Sequence, residues 1–558
     1  MSLRTPTPTW KTFGSVLALT TEAPPHPEQL QTEQLPLPLD DFASQERGHG
    51  IARPNRVYCN RNLKMTSIAW VGFDMDYTLA IYDQAAMDDL SIRATIAKLI
   101  LRGYPEFIKT VPISTEFPVR GLLIDKRFGH VLKMDRYKYV HKGYHGFREL
   151  TKEELRALYH AKKIRPATPR FHWIDTLYAL SEVATYVALV DAMEKRGLSV
   201  NYARLFTDIR EGIDEAHRDG TILDEVASDL PRFVHRDPNL APTLHKLRSA
   251  GKKLFLLTNS RRQYTEKMMT YLLGDAMAEY PTWRNYFDVV IVAAHKPVFF
   301  TERHPLMEHD GEALMPATQP LERGKIYEGG NLQELERALG VTGDAILYVG
   351  DHIYGDILRS KKDSAWRTAM IMQELETEIA AYVSCKEDFA ALESLEDQRE
   401  HLEDDLRYYQ ARIKELTRNI DHRSGDHQKS TRDLNAAAAA APPHPNSETS
   451  LNADAAASHG EHSELEAERV RFKRAVERIR GKLRQIEAEV SALERRIDQR
   501  FHPFWGSLLK EGNEQSSFGK QVDDYACVYT SRVSNFLAYS PQQSFRSPRD
   551  VMAHEFGM

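Results

Sequence analysis

Four short β-branched or aromatic runs, each ending abruptly in small or acidic residues, predict an α/β fold with a doubly wound, Rossmann-like parallel sheet. They span residues 67–73, Lys253–Leu257, 287–293 and 345–349, and residues 367–372 supply a fifth. Apolar runs bounded by turn signals and separated by helical stretches are the pattern of strands buried on both faces of a parallel sheet. Ligands of such sheets bind at the carboxyl ends of the strands. Polar residues follow each of the first four runs: Asp74 and Asp76, then Thr258 and Asn259, then Lys296, then Asp351.

The remaining organisation follows from spacing and composition. Residues 1–56, rich in Pro, Gln, Glu and Leu over 22–50, read as a flexible amino-terminal arm. Residues 57–80 carry the first core strand and its loop, and residues 241–372 carry the rest of the core. The roughly 180 residues between Asp76 and Thr258 far exceed a strand-to-helix connection, so a second unit, an α+β cap over 81–240, must be inserted there. Its helical periodicity is plainest around residues 173–193. Residues 373–500 then carry a/d heptads. Leu402, Leu406, Tyr409, Ile413, Leu416 and Ile420 form one set, and Val476, Ile479, Leu483, Ile486, Val490, Leu493 and Ile497 the other. This spacing predicts an antiparallel helical hairpin of the coiled-coil kind. An Ala- and Pro-rich segment at about 425–461 reads as a disordered linker, and residues 501–558 as a segment that packs on the globular part.

Composition excludes several classes. The chain has 558 residues, 42% hydrophobic and 28% charged, which rules out a wholly disordered protein. Its 80 acidic and 74 basic side chains give a formal charge of −6, so no overall basic field exists to attract nucleic acid or an anionic membrane. The three cysteines, Cys59, Cys385 and Cys527, are far apart and suit a reducing compartment. With no window near the ~20 apolar residues a membrane span needs, the expected location is cytoplasmic.

The chemistry concentrates in FDMDYTLA, residues 73–80. Two carboxylates at the end of a buried strand are costly unless a charge compensates them, and a divalent cation does so. Oxygen ligands of this kind suit Mg²⁺. Asp351, in GDHIYGD at 350–356, offers a further ligand, while Thr258 and Lys296 offer a hydroxyl and a cation for phosphate oxygens. Taken alone, the carboxylate pair could be only a turn and a helix cap.

The ordered set Asp-x-Asp-x-Thr, Thr-Asn-Ser, Lys-Pro and Gly-Asp-x-x-x-Gly-Asp resembles the haloacid dehalogenase superfamily of phosphohydrolases. The strings at 73–80, 258–260, 296–300 and 348–362, with FGKQVDDYACVYTSRVSNFLAYSP near the carboxyl end, are similar to the cytosolic purine 5′-nucleotidase family. This resemblance implies that Asp74 is the nucleophile that forms an aspartyl-phosphate and that Asp76 is the general acid/base. It also implies that Thr258 and Lys296 hold phosphoryl oxygens. Asp74, the carbonyl of Asp76 and Asp351 are the implied Mg²⁺ ligands, with Asp356 in support and Asn259 orienting the nucleophile or phosphate.

In the cap, Arg210, Asp214 and His217 fall on positions that the family uses for purine recognition, and their spacing of four and three puts them on one helix face. The implied substrates are purine nucleoside monophosphates, IMP and GMP foremost. The family pattern has a basic residue where this chain has Leu223. Phosphotransfer to a nucleoside is an implied side reaction and a homo-oligomer an implied assembly. The rival readings are a phosphatase of sugar phosphates and a catalytically silent interaction protein that uses its helical hairpin.

Overall fold

Five parallel strands form the centre of the chain: β1 (Trp70–Phe73), β2 (Lys253–Leu257), β3 (Val289–Val292), β4 (Ile346–Gly350) and β5 (Arg367–Ile371). Their order is β5-β4-β1-β2-β3, so the strand that ends at Asp74 is flanked by those that end at Asp351 and Thr258. Four of them are buried at nearly every position, as their unbroken apolar runs require. Gly72 has a specific reason to lack a side chain, since a Cβ there would stand 2.0 Å from the Phe255 ring on β2. Each predicted strand is present: Lys253–Leu257 keeps its bounds, the strand expected at 345–349 is shifted by one residue, and the other three are one to three residues shorter.

The sheet grows to ten strands by additions at both edges. Tyr327–Gly329 pairs parallel to β3 and is followed by the antiparallel strands Leu306–Asp310 and Ala313–Pro316. At the other edge the carboxyl-terminal strand Val528–Thr530 runs parallel to β5 and pairs in turn with Tyr58–Cys59. The computed structural model describes residues 50–159, 164–311, 313–358, 364–438 and 448–549. Most of the expected amino-terminal arm lies outside them. Of its described part, Arg53–Asn55 forms a single helical turn.

The insert holds helix α1 (Gln84–Leu101), a five-stranded antiparallel sheet, and helices α2 (Ala179–Glu194) and α3 (Tyr202–Arg218). Asp83 caps α1 by accepting from the Ala86 N–H at 2.9 Å. The periodicity expected from residue 173 becomes helical only at Ala179. Phe171–Ile174, aromatic and β-branched, instead pairs with Leu122–Asp125 as an edge strand of the insert sheet.

Two long helices, α4 (Lys386–Ala438) and α5 (Glu448–Phe501), carry the heptads. They pack with opposite polarity, because Asp388 meets Arg496, Tyr409 meets Phe472 and Arg412 meets Glu468. Leu416, Ile420, Val476, Ile479, Ile486, Val490, Leu493 and Ile497 are buried along this seam. The linker expected at about 425–461 is shorter than composition indicated. Helix continues to Ala438 and resumes at Glu448, and residues 439–447 lie outside the described residues. Ala436, Ala437 and Ala438, which looked like low complexity, are strong helix formers and extend α4.

The carboxyl-terminal segment packs between core and insert. The buried Trp505 donates its indole N–H to the Phe117 carbonyl at 2.7 Å, and the buried Lys133 ammonium donates to the carbonyls of Trp505, Ser507 and Lys510. Among the described residues, no helix is long and apolar enough to cross a membrane.

Candidate active site

Strand ends and the loops behind them bring four carboxylates and one ammonium together. Asp74 leaves β1 with its N–H donating to the Val349 carbonyl of β4 at 2.9 Å. Its Oδ1 accepts from the Met75 N–H at 2.7 Å and lies 2.9 Å from Lys296 Nζ. Lys296 Nζ also donates to Asp356 Oδ1 at 2.6 Å and to the Tyr348 hydroxyl at 2.9 Å. Asp74, Asp351 and Asp356 are all buried and offer oxygens that lie within 4.8 Å of one another.

The GDHIYGD motif produces this convergence through close backbone approach. A π-helical turn, Ile353–Leu358, follows Asp351 and returns Asp356 against the end of β4. A Cβ on Gly350 would stand 2.6 Å from the Asp356 Cβ, and one on Gly355 would stand 2.6 Å from the His352 ring, so both glycines make room for the turn.

Asp76 is set apart from the cluster. The Tyr82 hydroxyl donates to its Oδ1 at 2.6 Å and the Ser260 hydroxyl to its Oδ2 at 2.7 Å, while the Tyr264 hydroxyl lies 2.8 Å from that of Tyr82. The two carboxylates of the motif therefore occupy different environments.

Burial pushes the Asp74 carboxyl well above the usual range. Lys296 opposes that rise, and Asp356, Asp76 and Asp351 add to it. Asp351 is pushed up to about 7, first by burial and then by Asp356. Burial likewise raises Asp76 against the opposing hydrogen bonds from Tyr82 and Ser260. For Lys296, burial favours the neutral amine, but Asp356 and Asp74 outweigh it and hold the ammonium charged. With Asp74, Asp76, Asp351 and Asp356 all ionised, one ammonium would leave an excess of buried negative charge, which is why the neighbouring carboxylates add to the rise at Asp74. Hard oxygen donors with that excess fit a divalent cation.

Several expected roles change in detail. Asp356, expected only to support, presents its carboxylate directly to the cluster and to Lys296. Asp76, for which the resemblance implies a main-chain ligand, keeps that reading, and its side chain is directed to Tyr82 and Ser260. Asn259, expected to face nucleophile or phosphate, clasps the Lys296 backbone instead: its Nδ2 donates to the Lys296 carbonyl at 3.0 Å and its Oδ1 accepts the Lys296 N–H at 2.6 Å. An amide side chain matches a peptide group donor for acceptor, which a motif alone does not disclose. The Thr258 hydroxyl accepts from the Ser260 N–H at 3.1 Å, a turn contact that ties it to the Asp76 partner.

Arg210, Asp214 and His217 lie on α3 and adjoin α2 and the edge strand of the insert sheet. The exposed Arg210 lies 3.1 Å from Nδ1 of His172. The His217 ring meets Tyr178 edge-on at 5.4 Å, and Tyr178 in turn meets Tyr77 of the catalytic loop at 4.8 Å. Asp214 and Arg210 both act electrostatically on Glu182 of α2, whose carboxyl burial pushes up to about 7. Leu223, on the next helix, is half-buried. Sequence reasoning missed Tyr82, Tyr264, Tyr178, Glu182 and Arg120. Of the partners found here, Met75, Tyr77, Ser260 and Tyr348 stood inside quoted motifs.

Comparison with known proteins identifies the family. The sequence profile described as the 5′ nucleotidase family matches residues 57–557. A 5′-nucleotidase domain-containing protein of Dictyostelium discoideum is 26% identical over 516 residues, covering 90% of this chain and 75% of the relative. The human 5′-nucleotidase domain-containing protein 2 is 31% identical over 343 residues, covering 59% of this chain and 65% of the relative, just under two thirds of its length. Among solved structures, a predicted phosphoglycolate phosphatase from Haemophilus somnus aligns with 55% of this chain and 87% of its own at 14% identity and a TM-score of 0.24. A magnesium-bound HAD-hydrolase YfnB from Bacillus subtilis aligns with 55% of this chain and 86% of its own at 12% identity and a TM-score of 0.18. On a profile match over residues 57–557, the chain belongs to the 5′ nucleotidase family, a family of phosphoric monoester hydrolases.

Proposed function

We propose that this chain is a Mg²⁺-dependent 5′-nucleotidase that hydrolyses purine nucleoside monophosphates, IMP and GMP foremost, through an aspartyl-phosphate on Asp74. The observation that carries this reading is the separation of the two motif carboxylates, one beside Lys296 and Asp356 and the other between Tyr82 and Ser260. Paired carboxylates in unlike environments divide into nucleophile and acid/base.

Asp74 Oδ1 is occupied by the Met75 N–H and Lys296, so Oδ2 is the attacking oxygen. It forms a bond to phosphorus as the bond to the ribose 5′-oxygen breaks, and Asp76 delivers its proton to that oxygen. Asp76, now ionised, takes a proton from water as the water oxygen attacks phosphorus. Phosphate leaves and the Asp74 carboxylate is regenerated. Asp74, Asp351, Asp356 and the Asp76 main chain would hold a divalent cation, which would supply charge against the phosphoryl oxygens. Lys296 opposes the protonation that burial favours at Asp74 and shares its charge with the phosphoryl group. A nucleoside hydroxyl in place of water gives phosphotransfer.

The cap residues support the choice of a purine. Tyr178 and His217 offer aromatic rings in edge-to-face contact, and Arg210 and Asp214 offer polar groups on the helix that carries His217. The decisive experiment is phosphate release from IMP, GMP, AMP, pyrimidine monophosphates and sugar phosphates, with and without Mg²⁺, by the native protein and by Asp74→Asn. Loss of turnover in the variant and preference for 6-oxopurine nucleotides are expected. Undiminished release by Asp74→Asn removes the nucleophile, and sugar phosphates preferred over every nucleotide reject the purine assignment.

A further inference from the structure

The insert touches the Asp351 loop at two adjacent points. Arg120 stands just before the insert strand Leu122–Asp125, and its side chain is wholly buried. Its Nε and Nη2 donate to the two carboxylate oxygens of Glu374, each at 2.7 Å, and its Nη1 donates to the main-chain carbonyl of Asp351 at 2.9 Å. The Gly121 N–H donates to the Ile174 carbonyl at 2.6 Å, which sets Asp175 next to Arg120 across the sheet edge. Asp175 Oδ2 in turn lies 3.3 Å from Nε2 of His352. Neighbouring residues of the insert thus hold consecutive residues of the core loop.

The division of labour within the guanidinium matters. Glu374 answers its charge in a bidentate pair, which a buried guanidinium requires. The remaining arm is directed at one peptide group, that of Asp351. A carbonyl fixed at the residue that bears a cation ligand also fixes the direction of its side chain. Gly121, at φ +86°, lets the chain turn so that Arg120 enters the core beside Phe518, whose ring lies 5.1 Å from the guanidinium. Lysine cannot reproduce this, since a single ammonium cannot span two carboxylate oxygens and a carbonyl in one plane.

We propose that Arg120 and Asp175 are positioning residues that hold the Asp351–His352 turn in its cation-binding form, so that the insert sets divalent-cation affinity as well as substrate choice. The inference rests on the reading of Asp351 as a metal ligand. Partners that orient metal ligands commonly change affinity by roughly 10–100-fold when altered.

The test titrates Mg²⁺ alone into the full-length, nucleotide-free protein and follows the rise in melting temperature, for the native chain and for Arg120→Lys, Asp175→Asn and Asp351→Asn. Half-saturating Mg²⁺ is expected to rise about tenfold in Arg120→Lys and several-fold in Asp175→Asn, with most of the native kcat on IMP recovered at saturating Mg²⁺. Loss of metal-free stability alone does not produce that recovery. Native Mg²⁺ dependence in both folded variants, with Asp351→Asn impaired, overturns the proposal. Native Mg²⁺ dependence in Asp351→Asn overturns the metal assignment beneath it. Should Arg120→Lys fail to fold, the partly exposed Asp175→Asn decides the matter alone.

Discussion

Lys296 donates to Asp356 at 2.6 Å beneath the ends of β1 and β4, with its Nζ also 2.9 Å from Asp74. The motif that resembled a phosphate grip is thus also the counter-ion of a buried acidic cluster. Breaking a buried pair by removing one partner commonly costs about 3–5 kcal/mol. Lys296→Met is expected to lose that order of stability in metal-free protein, measured by urea denaturation, along with nearly all turnover. A loss under about 1 kcal/mol would show that the ammonium does not balance the cluster.

The hydrogen bonds from Tyr82 and Ser260 favour the ionised form of Asp76, while burial favours the protonated form. Removing either donor lets burial prevail further. Tyr82→Phe and Ser260→Ala should therefore move the limb of the pH–rate profile governed by Asp76 to higher pH. A shift to lower pH, or none, would contradict the assignment of Asp76 as acid/base.

Glu182 carries a native pKa of about 7 against an ordinary value of 4.5, with burial as the chief cause. Between those values the native state holds a proton that the unfolded chain has released, so this carboxyl lowers stability as pH rises through the window. The full loss is on the order of 3 kcal/mol. Glu182→Gln should flatten the decline in melting temperature between pH 5 and pH 8. An unchanged slope would mean that the carboxyl is solvated or paired.

Gly350→Ala introduces a Cβ that would lie 2.6 Å from the Asp356 Cβ. Neither atom is at the end of a flexible chain, so the turn must move. A stability cost of about 1–3 kcal/mol is expected, with weaker Mg²⁺ activation, because Asp356 is displaced from Lys296. Calorimetry and a Mg²⁺ titration of turnover check the two effects, and a variant of native stability and activation would show that the loop tolerates the methyl.

The hairpin seam is testable at one buried position. Ile486→Ala on α5 removes a side chain that is 7% exposed and should cost about 2–5 kcal/mol if its surroundings stay rigid. A two-transition melt in which only the helical phase shifts would show that the hairpin unfolds independently of the core.

What the chain alone determined is the part governed by local periodicity and by short-range chemistry. Apolar runs bounded by turn signals marked the five central strands, heptads marked α4 and α5, and motif order marked Asp74, Asp76, Thr258, Lys296 and Asp351. Tertiary packing decided the remainder. Asn259 turned to the Lys296 backbone, Asp356 entered the acidic cluster, Phe171–Ile174 became a strand, and Arg120 reached the Asp351 carbonyl from a distant segment. A hydrogen bond between residues 231 positions apart leaves no periodic trace in either segment, because its geometry exists only once both have folded against a third.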